Sequence, residues 1–299
     1  MDIHSAKNNP TLCLHVGYGK TGSTAIQHWL ACQYQQLEHA GIIYPIPEQG
    51  LGDSGNGLML WDAMEEDNCQ PAWQVQGLND AHVYLFSREH FAREFSEAGR
   101  CQALVGWASR CGFSSVRVLL FVRDPRQHCY SLWAQKVKRA GETRSLRSFA
   151  KDYDGIKMAS RFLEEAMRAG FDVSVLNYDC HRNSLMSSFN DWLSDVLILA
   201  GQDILRLPIS NNQKMLNLTP NPSQLRLKRL LNDIWKKTNA VGQPPLPPKQ
   251  LADFIYRLKG DEQLPEFEES LVKQWAKQVD QFNLICKENG ILSGPIVLG

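Results

Sequence analysis

The sequence predicts an α/β fold in which helices cover both faces of a central parallel sheet. Short apolar runs typical of buried strands alternate with longer segments whose apolar residues recur at helical spacing. The predicted strands lie around Leu12–Val16, His82–Phe86, Ser115–Val122 and Phe171–Tyr178. A glycine-rich turn follows the first of these strands and leads directly into a helix. This strand–turn–helix order indicates a three-layer domain.

The predicted helices lie between and after these strands. A first helix begins after Gly22, with Ser23 or Thr24 as its cap, and continues without interruption through Glu38. Asp124 and Pro125 suit the cap and first position of a later helix. The other predicted helices cover about 97–111, 156–169, 183–198, 225–232, 249–259 and 266–289. We expect a single domain, with residues 1–200 as the α/β core and residues 201–299 as a mainly helical part packed on it.

Two stretches interrupt this pattern. Residues 48–80 contain several glycines together with Trp61 and Trp73, and they predict a long surface excursion with one short helix. Long loops in compact domains are often functional lids, but a plain insertion is the alternative here. Residues 242–249, GQPPLPPK, predict a stiff connector of polyproline type.

Charge and cysteine content limit the classes of partner. The formal net charge is zero and the pI is about 7.1, so no overall field attracts nucleic acid or an anionic membrane. Eight cysteines are scattered without a C-x-x-C pair or a metal-ligand spacing, which predicts reduced thiols and no metal site. No apolar run approaches the length of a membrane span. We therefore expect a cytoplasmic protein without nucleic-acid or membrane partners.

The segment from Thr11 to Gln27, TLCLHVGYGKTGSTAIQ, predicts a phosphate cradle. Glycines at 17, 19 and 22 allow a tight turn and let an oxyanion approach the main chain. The start of the following helix presents backbone N–H groups and the positive end of its dipole. Lys20 adds a positive charge, and hydroxyl donors follow at Thr21, Ser23 and Thr24. The expected fold is therefore P-loop-like.

The spacing within the cradle argues against two common nucleotide motifs. The nucleoside-triphosphatase pattern places lysine after the last glycine, whereas Lys20 precedes Gly22. The dinucleotide pattern G-x-G-x-x-G is matched, but its acidic residue about twenty positions later falls only on Glu38, inside a helix. A tight turn with an incidental lysine is the non-functional alternative.

The string LHVGYGKTGSTAIQ resembles the 5′-phosphosulfate loop of sulfotransferases that use 3′-phosphoadenosine 5′-phosphosulfate (PAPS), especially the bacterial, cytosolic-type enzymes. Those loops often contain LHIG-x-H-K-T-G-T-T-x-x-Q, and Gly19 stands here where the family often has histidine. The resemblance implies PAPS as co-substrate and 3′,5′-bisphosphoadenosine (PAP) as product. It places the 5′ end of the nucleotide on Gly19, Lys20, Thr21, Gly22, Ser23 and Thr24.

A second motif, RDPRQHCYSLWAQ, resembles the 3′-phosphate site of the same family. There an arginine and a serine eight residues later bind the 3′-phosphate, which implies Arg123 and Ser131. The alternative is an internal Arg-Asp ion pair and a serine on a polar helix face. Tyr178-Asp179 resembles the family's Y-E/D step and implies a nucleotide contact for Tyr178. No R-K-G loop is found, and Lys214 is the substitute that we consider.

The proton acceptor is the least specified part of the predicted site. Ser87-Arg88-Glu89 resembles a Ser-Ser-Glu step of the family, and Glu89 is our first choice of general base. Glu89 could instead begin the next helix or pair with an arginine. His15 is the second choice, although a buried strand histidine is commonly a hydrogen-bonded core residue. His90 is third and expected to be exposed.

The expected fold and the motifs together predict one function. Lys20, Glu89 and Arg123 each follow the end of a different strand, so a parallel sheet should bring them to one crevice. We expect transfer of a sulfuryl group from PAPS to a hydroxyl or amine of a small-molecule or carbohydrate acceptor, with Lys20 stabilising the leaving oxygen. The alternatives are a non-catalytic nucleotide-binding module and a nucleotide-dependent kinase with a degenerate loop.

Overall fold

The computed structural model of the protein describes residues 9–48, 50, 55–71, 73, 82–203, 207–208, 222–238 and 266–298. Its centre is a six-stranded sheet with the strand order β2-β3-β1-β4-β5-β6, and all of its neighbouring strands run parallel. The strands are β1 Thr11–Val16, β2 Ile42–Ile43, β3 Val83–Arg88, β4 Ser115–Val122, β5 Asp172–Asn177 and β6 Leu292–Ser293. The predicted α/β class with a central parallel sheet is confirmed.

The helices alternate with the strands along most of the described chain. They are α1 Ser23–Cys32, α2 Tyr34–His39, α3 Gly57–Glu65, α4 Phe91–Glu94, α5 Arg100–Arg110, α6 Pro125–Arg139, α7 Leu146–Ala150, α8 Gly155–Arg168, α9 Tyr178–His181, α10 Leu185–Leu199, α11 Pro222–Thr238 and α12 Glu269–Glu288. The predicted helix over 249–259, the connector at 242–249 and Lys214 lie outside the described residues.

Strand β1 is buried along its whole length because helices cover both of its faces. On one face, Cys13, Leu85 and Phe121 join the same apolar cluster as residues of α1 and α10. On the other face, the Trp73 ring packs on Phe86 with a centroid distance of 4.9 Å and on Tyr84 at 5.8 Å. The sheet is thus the middle of three layers.

Several predicted boundaries need correction. The first helix is not continuous but breaks at Gln33, where neither glycine nor proline marks the break. Strands β2 and β6 were not predicted, because each has only two residues and is too short to show a pattern. The predicted strand Ser115–Val122 is confirmed. Asp124 caps α6 as predicted, since its side chain accepts a hydrogen bond from the Arg126 amide at 2.7 Å.

The chain divides into two compact units. The first comprises residues 1–123, 157–213 and 282–296 and contains the sheet. The second comprises 124–156, 214–281 and 297–299. Its core joins α6, α7, α11 and the first part of α12 through apolar residues that include Trp133, Phe149 and Trp275. The fully buried Asn232 donates to the carbonyls of Val137 at 2.8 Å and Glu142 at 3.2 Å.

Within residues 48–80, the predicted short helix is confirmed as α3. Trp61 packs beside Phe95 with a centroid distance of 5.6 Å, and the Arg100 guanidinium lies 5.3 Å from its ring. Trp73 is 8% exposed. Both tryptophans therefore act as packing residues in the first unit.

The expectation that all cysteines are reduced is wrong. Cys69 and Cys111, which are 42 positions apart in sequence, form a disulfide with 4.8 Å between their Cα atoms. The ion pairs Arg110–Asp67 and Arg100–Glu65, each at 2.5 Å, join the same two segments. This pairing depends on the contact of α3 with α5, which cysteine spacing does not show. The cysteine content therefore no longer supports a reducing compartment.

Four of the other cysteines are buried thiols, at positions 13, 101, 129 and 286, whereas Cys32 and Cys180 are exposed. Burial raises the pKa of the Cys101, Cys129 and Cys286 thiols to about 12. Among the described helices, none is both long and apolar enough to cross a membrane.

Candidate functional site

The loop between β1 and α1, the predicted anion cradle, makes a tight left-handed turn. The Gly17 amide donates to the Arg88 carbonyl at 2.9 Å, which extends the pairing of β1 with β3 by one residue. Lys20 and Gly22 then adopt left-handed conformations with φ of 66° and 82°. The Thr21 hydroxyl donates to the Tyr18 carbonyl at 2.7 Å and closes the turn. The turn delivers the N-terminus of α1 to the carboxyl edge of the sheet.

Glycine is required at two positions of this loop for steric reasons. A Cβ on Gly17 would lie 2.5 Å from the Glu89 Cα, which is backbone and cannot move away. A Cβ on Gly22 would lie 2.4 Å from Leu185 Cδ2, at a φ that disfavours any side chain. At Gly19 the nearest atom is the movable Glu89 Oε1, at 2.8 Å. The Glu89 carboxylate therefore lies beside the main chain at Gly19.

The hydroxyl residues of the cradle differ in their surroundings. Thr21 is fully buried and Ser23 is 3% exposed, whereas Thr24 is half-buried. The prediction that Ser23 or Thr24 caps α1 is wrong: Gly22 occupies the N-cap position, and α1 has no side-chain cap. The left-handed turn takes the chain directly into the helix at Ser23. No side-chain oxygen therefore caps the first turn of α1.

Arg123 lies directly after β4 and contacts the cradle. Its Nη1 group donates to the Lys20 carbonyl at 3.2 Å. Its Nε lies 3.4 Å from Asp179 Oδ1, and its guanidinium lies 5.3 Å from the centre of the Tyr178 ring. The same ring approaches the cradle, since Tyr178 Cε2 is 3.4 Å from where a Gly22 Cβ would stand.

Glu89 follows β3, on the other side of β1 from Arg123. Its half-buried side chain reaches over Gly19. The neighbouring Arg88 guanidinium is held by Glu94, with hydrogen bonds of 2.9 and 2.7 Å. His90 is exposed, as expected, and stands at the N-cap of α4. The structure thus brings together the ends of three strands; the chemical roles of their residues remain predictions.

His15 lies in the core below the cradle. It is fully buried, and its Nδ1 shares a hydrogen bond of 2.8 Å with the Ser87 hydroxyl. The rings of Phe121 and Phe189 stand edge-on to its imidazole at 5.9 and 5.5 Å. Burial lowers the pKa of His15 from 6.5 to about 3. The imidazole is therefore neutral at physiological pH.

Two residues of this site were not singled out by sequence reasoning. Asn56 is fully buried and donates from Nδ2 to the Leu85 carbonyl at 3.0 Å, while its Oδ1 accepts from the Ser87 amide at 2.7 Å. Asn56 thus pairs with backbone groups of β3 that lie past the end of the short strand β2. Asp179 was noted only as part of a motif, yet it is the acidic partner of Arg123. Neither contact has a local sequence signal, since the partners are far apart in the chain.

Ser131, the predicted partner of Arg123 at the 3′-phosphate, belongs to the second unit. It lies on α6 and is 5% exposed.

No family model and no curated protein matches this chain. Among solved structures, a sulfotransferase from Alicyclobacillus acidocaldarius is 16% identical, with 75% of this chain and 90% of that chain covered and a TM-score of 0.39. A retinol dehydratase in complex with androsterone and the inactive cofactor PAP is 13% identical, with 91% and 80% covered and a TM-score of 0.34. At these values neither structure decides the family or the function of this chain.

Gly17→Ala tests the close approach of the cradle to β3. We expect it to lower the free energy of unfolding by about 1–3 kcal/mol, because a Cβ would collide with the Glu89 backbone. Gly106→Ala is the matched control. Gly106 lies inside α5, where an added Cβ would meet only Arg110 Nη1 at 3.5 Å, so this variant should raise the free energy of unfolding by about 0.5–1 kcal/mol. Urea denaturation measures both. Equal shifts for the two variants would contradict the tight contact at Gly17.

Proposed function

We propose that this protein is a PAPS-dependent sulfotransferase, which moves a sulfuryl group to a hydroxyl or amine of a small-molecule or carbohydrate acceptor. One observation carries the proposal. The Lys20 cradle, the Arg123 guanidinium and the Glu89 carboxylate meet at the carboxyl ends of adjacent strands β1, β4 and β3. An anion site, a second cation and a proton acceptor are the groups that this reaction needs.

The residues of the cradle fit the 5′ end of PAPS. A left-handed turn at a helix N-terminus offers backbone N–H groups to a phosphate or sulfate. We assign the 5′-phosphosulfate to Gly19, Lys20, Thr21, Gly22, Ser23 and Thr24. Arg123 suits the 3′-phosphate because a guanidinium binds phosphate oxygens in pairs. Tyr178 offers the face of its ring to the nucleotide. The contact of Ser131 with the 3′-phosphate is a prediction from the sequence motif.

The chemical step places two charges on named side chains. The acceptor oxygen or nitrogen forms a bond to sulfur while the bond from sulfur to the bridging phosphate oxygen breaks. Lys20 stabilises the negative charge that develops on this bridging oxygen. Glu89 accepts the proton that the acceptor loses, so the products are the sulfated acceptor, PAP and a protonated carboxyl. PAPS supplies the activated sulfuryl group.

Glu89 suits the role of base better than His15. The Glu89 carboxylate lies over the cradle at Gly19, beside the position that we assign to the phosphosulfate. His15 is fully buried, bonded to Ser87, and its lowered pKa makes it a weak base. We therefore assign His15 a structural role beneath the cradle and Glu89 the catalytic one.

Nucleotide preference and sulfate transfer test the proposal directly. We expect PAP to raise the melting temperature of the protein more than ATP does, since the cradle lacks the lysine position of a triphosphate loop. With ³⁵S-PAPS and a panel of phenols, alcohols, sugars and amines, we expect the radioactive sulfuryl group to be transferred to one of these classes of acceptor. Stabilisation by PAP without any transfer would indicate a non-catalytic binding module, and preference for ATP would indicate a kinase.

Lys20→Ala should lower kcat about 100-fold or more, while the Kd for PAP rises less than about tenfold. The reason is that the charge on the bridging oxygen appears mainly in the transition state. Rates of ³⁵S transfer and calorimetric titration with PAP measure the two effects. Lys157→Ala, an exposed lysine of α8, is the control. Near-normal turnover of Lys20→Ala would remove Lys20 from the mechanism.

Glu89→Gln keeps the shape of the side chain but cannot accept the proton. We expect kcat/KM to fall about 10²–10⁴-fold and the decline of the rate at acid pH to disappear, while PAP still binds. The measurement is the pH profile of sulfuryl transfer beside that of Glu66→Gln, an exposed carboxylate. A variant that keeps both the rate and the acid decline would rule out Glu89, and His15→Asn would then be the next test.

A further inference from the structure

The contact between Arg123 and the cradle goes to the backbone. Its Nη1 donates to the carbonyl of Lys20, at 3.2 Å. Lys20 has a φ of 66°, a left-handed conformation that costs free energy for any residue with a Cβ. Among the described residues, only Lys20 and Asp67 adopt such a conformation without being glycine. The strained residue of the cradle is therefore the one that accepts a hydrogen bond from a charged donor.

The guanidinium is oriented by two further groups. Asp179 Oδ1 lies 3.4 Å from Nε, and the Tyr178 ring faces the guanidinium at 5.3 Å. The backbone of Asp179 is held in turn, because its amide donates to Asn177 Oδ1 at 3.0 Å. The Arg123 side chain is 16% exposed. An arginine fixed in this way can hold the Lys20 carbonyl in one place.

We propose that Arg123 holds the Lys20 cradle in its anion-binding shape, in addition to binding the 3′-phosphate. This inference rests on the proposed function for the identity of the nucleotide. It makes Arg123 a positioning residue for Lys20 and for the neighbouring backbone donors. Both ends of the nucleotide then depend on one side chain, although only the 3′ end touches it.

The two roles of Arg123 predict different results with 5′-AMP, which has a 5′-phosphate but no 3′-phosphate. If Arg123 only bound the 3′-phosphate, its removal would leave the affinity for 5′-AMP unchanged. If Arg123 also holds the cradle, its removal weakens the binding of the 5′-phosphate as well. PAP, which carries both phosphates, must lose more affinity than 5′-AMP.

The chain provides a matched control in Arg117. It lies on β4 and pairs with Asp172 of β5 at 2.9 Å, as Arg123 pairs with Asp179 after the same two strands. Its exposure, 21%, is similar to that of Arg123. Arg117 lies near the amino end of β4, whereas the cradle lies at the carboxyl ends of the strands. Arg117→Ala therefore reproduces the loss of an Arg–Asp pair without touching the loop.

Calorimetric titration of the wild type, Arg123→Ala and Arg117→Ala with PAP and with 5′-AMP tests the proposal. We expect Arg123→Ala to weaken 5′-AMP about tenfold and PAP about 100-fold or more, since charge-assisted hydrogen bonds are lost at both ends. Arg117→Ala should change either affinity less than about twofold. Weakened PAP with unchanged 5′-AMP would overturn the positioning role and leave the proposed function intact.

Hydrogen exchange provides a second measurement that needs no nucleotide. The Gly17 and Ala25 amides bracket the cradle and donate to the carbonyls of Arg88 and Gly22, each at 2.9 Å. In Arg123→Ala we expect these amides to exchange about tenfold faster than in Arg117→Ala. Equal rates would overturn the inference. If neither PAP nor 5′-AMP binds the wild type, the proposed function fails, and the exchange rates still decide the role of Arg123.

Discussion

The site depends on the hydrogen bond from the Gly17 amide to the Arg88 carbonyl, at 2.9 Å. This bond continues the β1–β3 pairing past the end of β1 and fixes the point at which the cradle leaves the sheet. It requires the two backbones to lie so close that only glycine fits at position 17. The same closeness brings Glu89 over Gly19. The predicted cradle and the Glu89 carboxylate are therefore positioned by one backbone contact.

A buried polar cluster supports this contact from below. The Ser87 hydroxyl bonds to His15 at 2.8 Å and to Gln27 Nε2 at 3.1 Å, and its amide donates to Asn56. Buried polar groups of this kind are costly to leave unpaired, so the cluster favours one arrangement of β1, β3, α1 and the segment before α3. The end of β3 is thus fixed from both sides.

The sequence by itself determined the α/β class and the tight turn around Lys20, whose anion-binding role is a prediction. Alternating apolar runs and helical periodicity are local properties, and they predicted β4 and its capped helix α6 correctly. The glycines around Lys20 predicted the cradle, because the need for a tight turn is also local. The convergence of Lys20, Glu89 and Arg123 followed from topology alone, since parallel strands place their carboxyl ends at one edge.

Only the tertiary structure decided the contacts between residues distant in sequence. Examples are the Cys69–Cys111 disulfide, the hydrogen bonds of Asn56 with β3 and the hydrogen bond of Arg123 to the Lys20 carbonyl. Each joins two segments whose positions in the sequence do not indicate a contact. The surroundings of His15 were likewise decided there, since two aromatic rings and Ser87 come from other elements. Hydrophobic periodicity in the sequence shows which face of a helix or strand is buried. Which other element covers that face depends on tertiary packing.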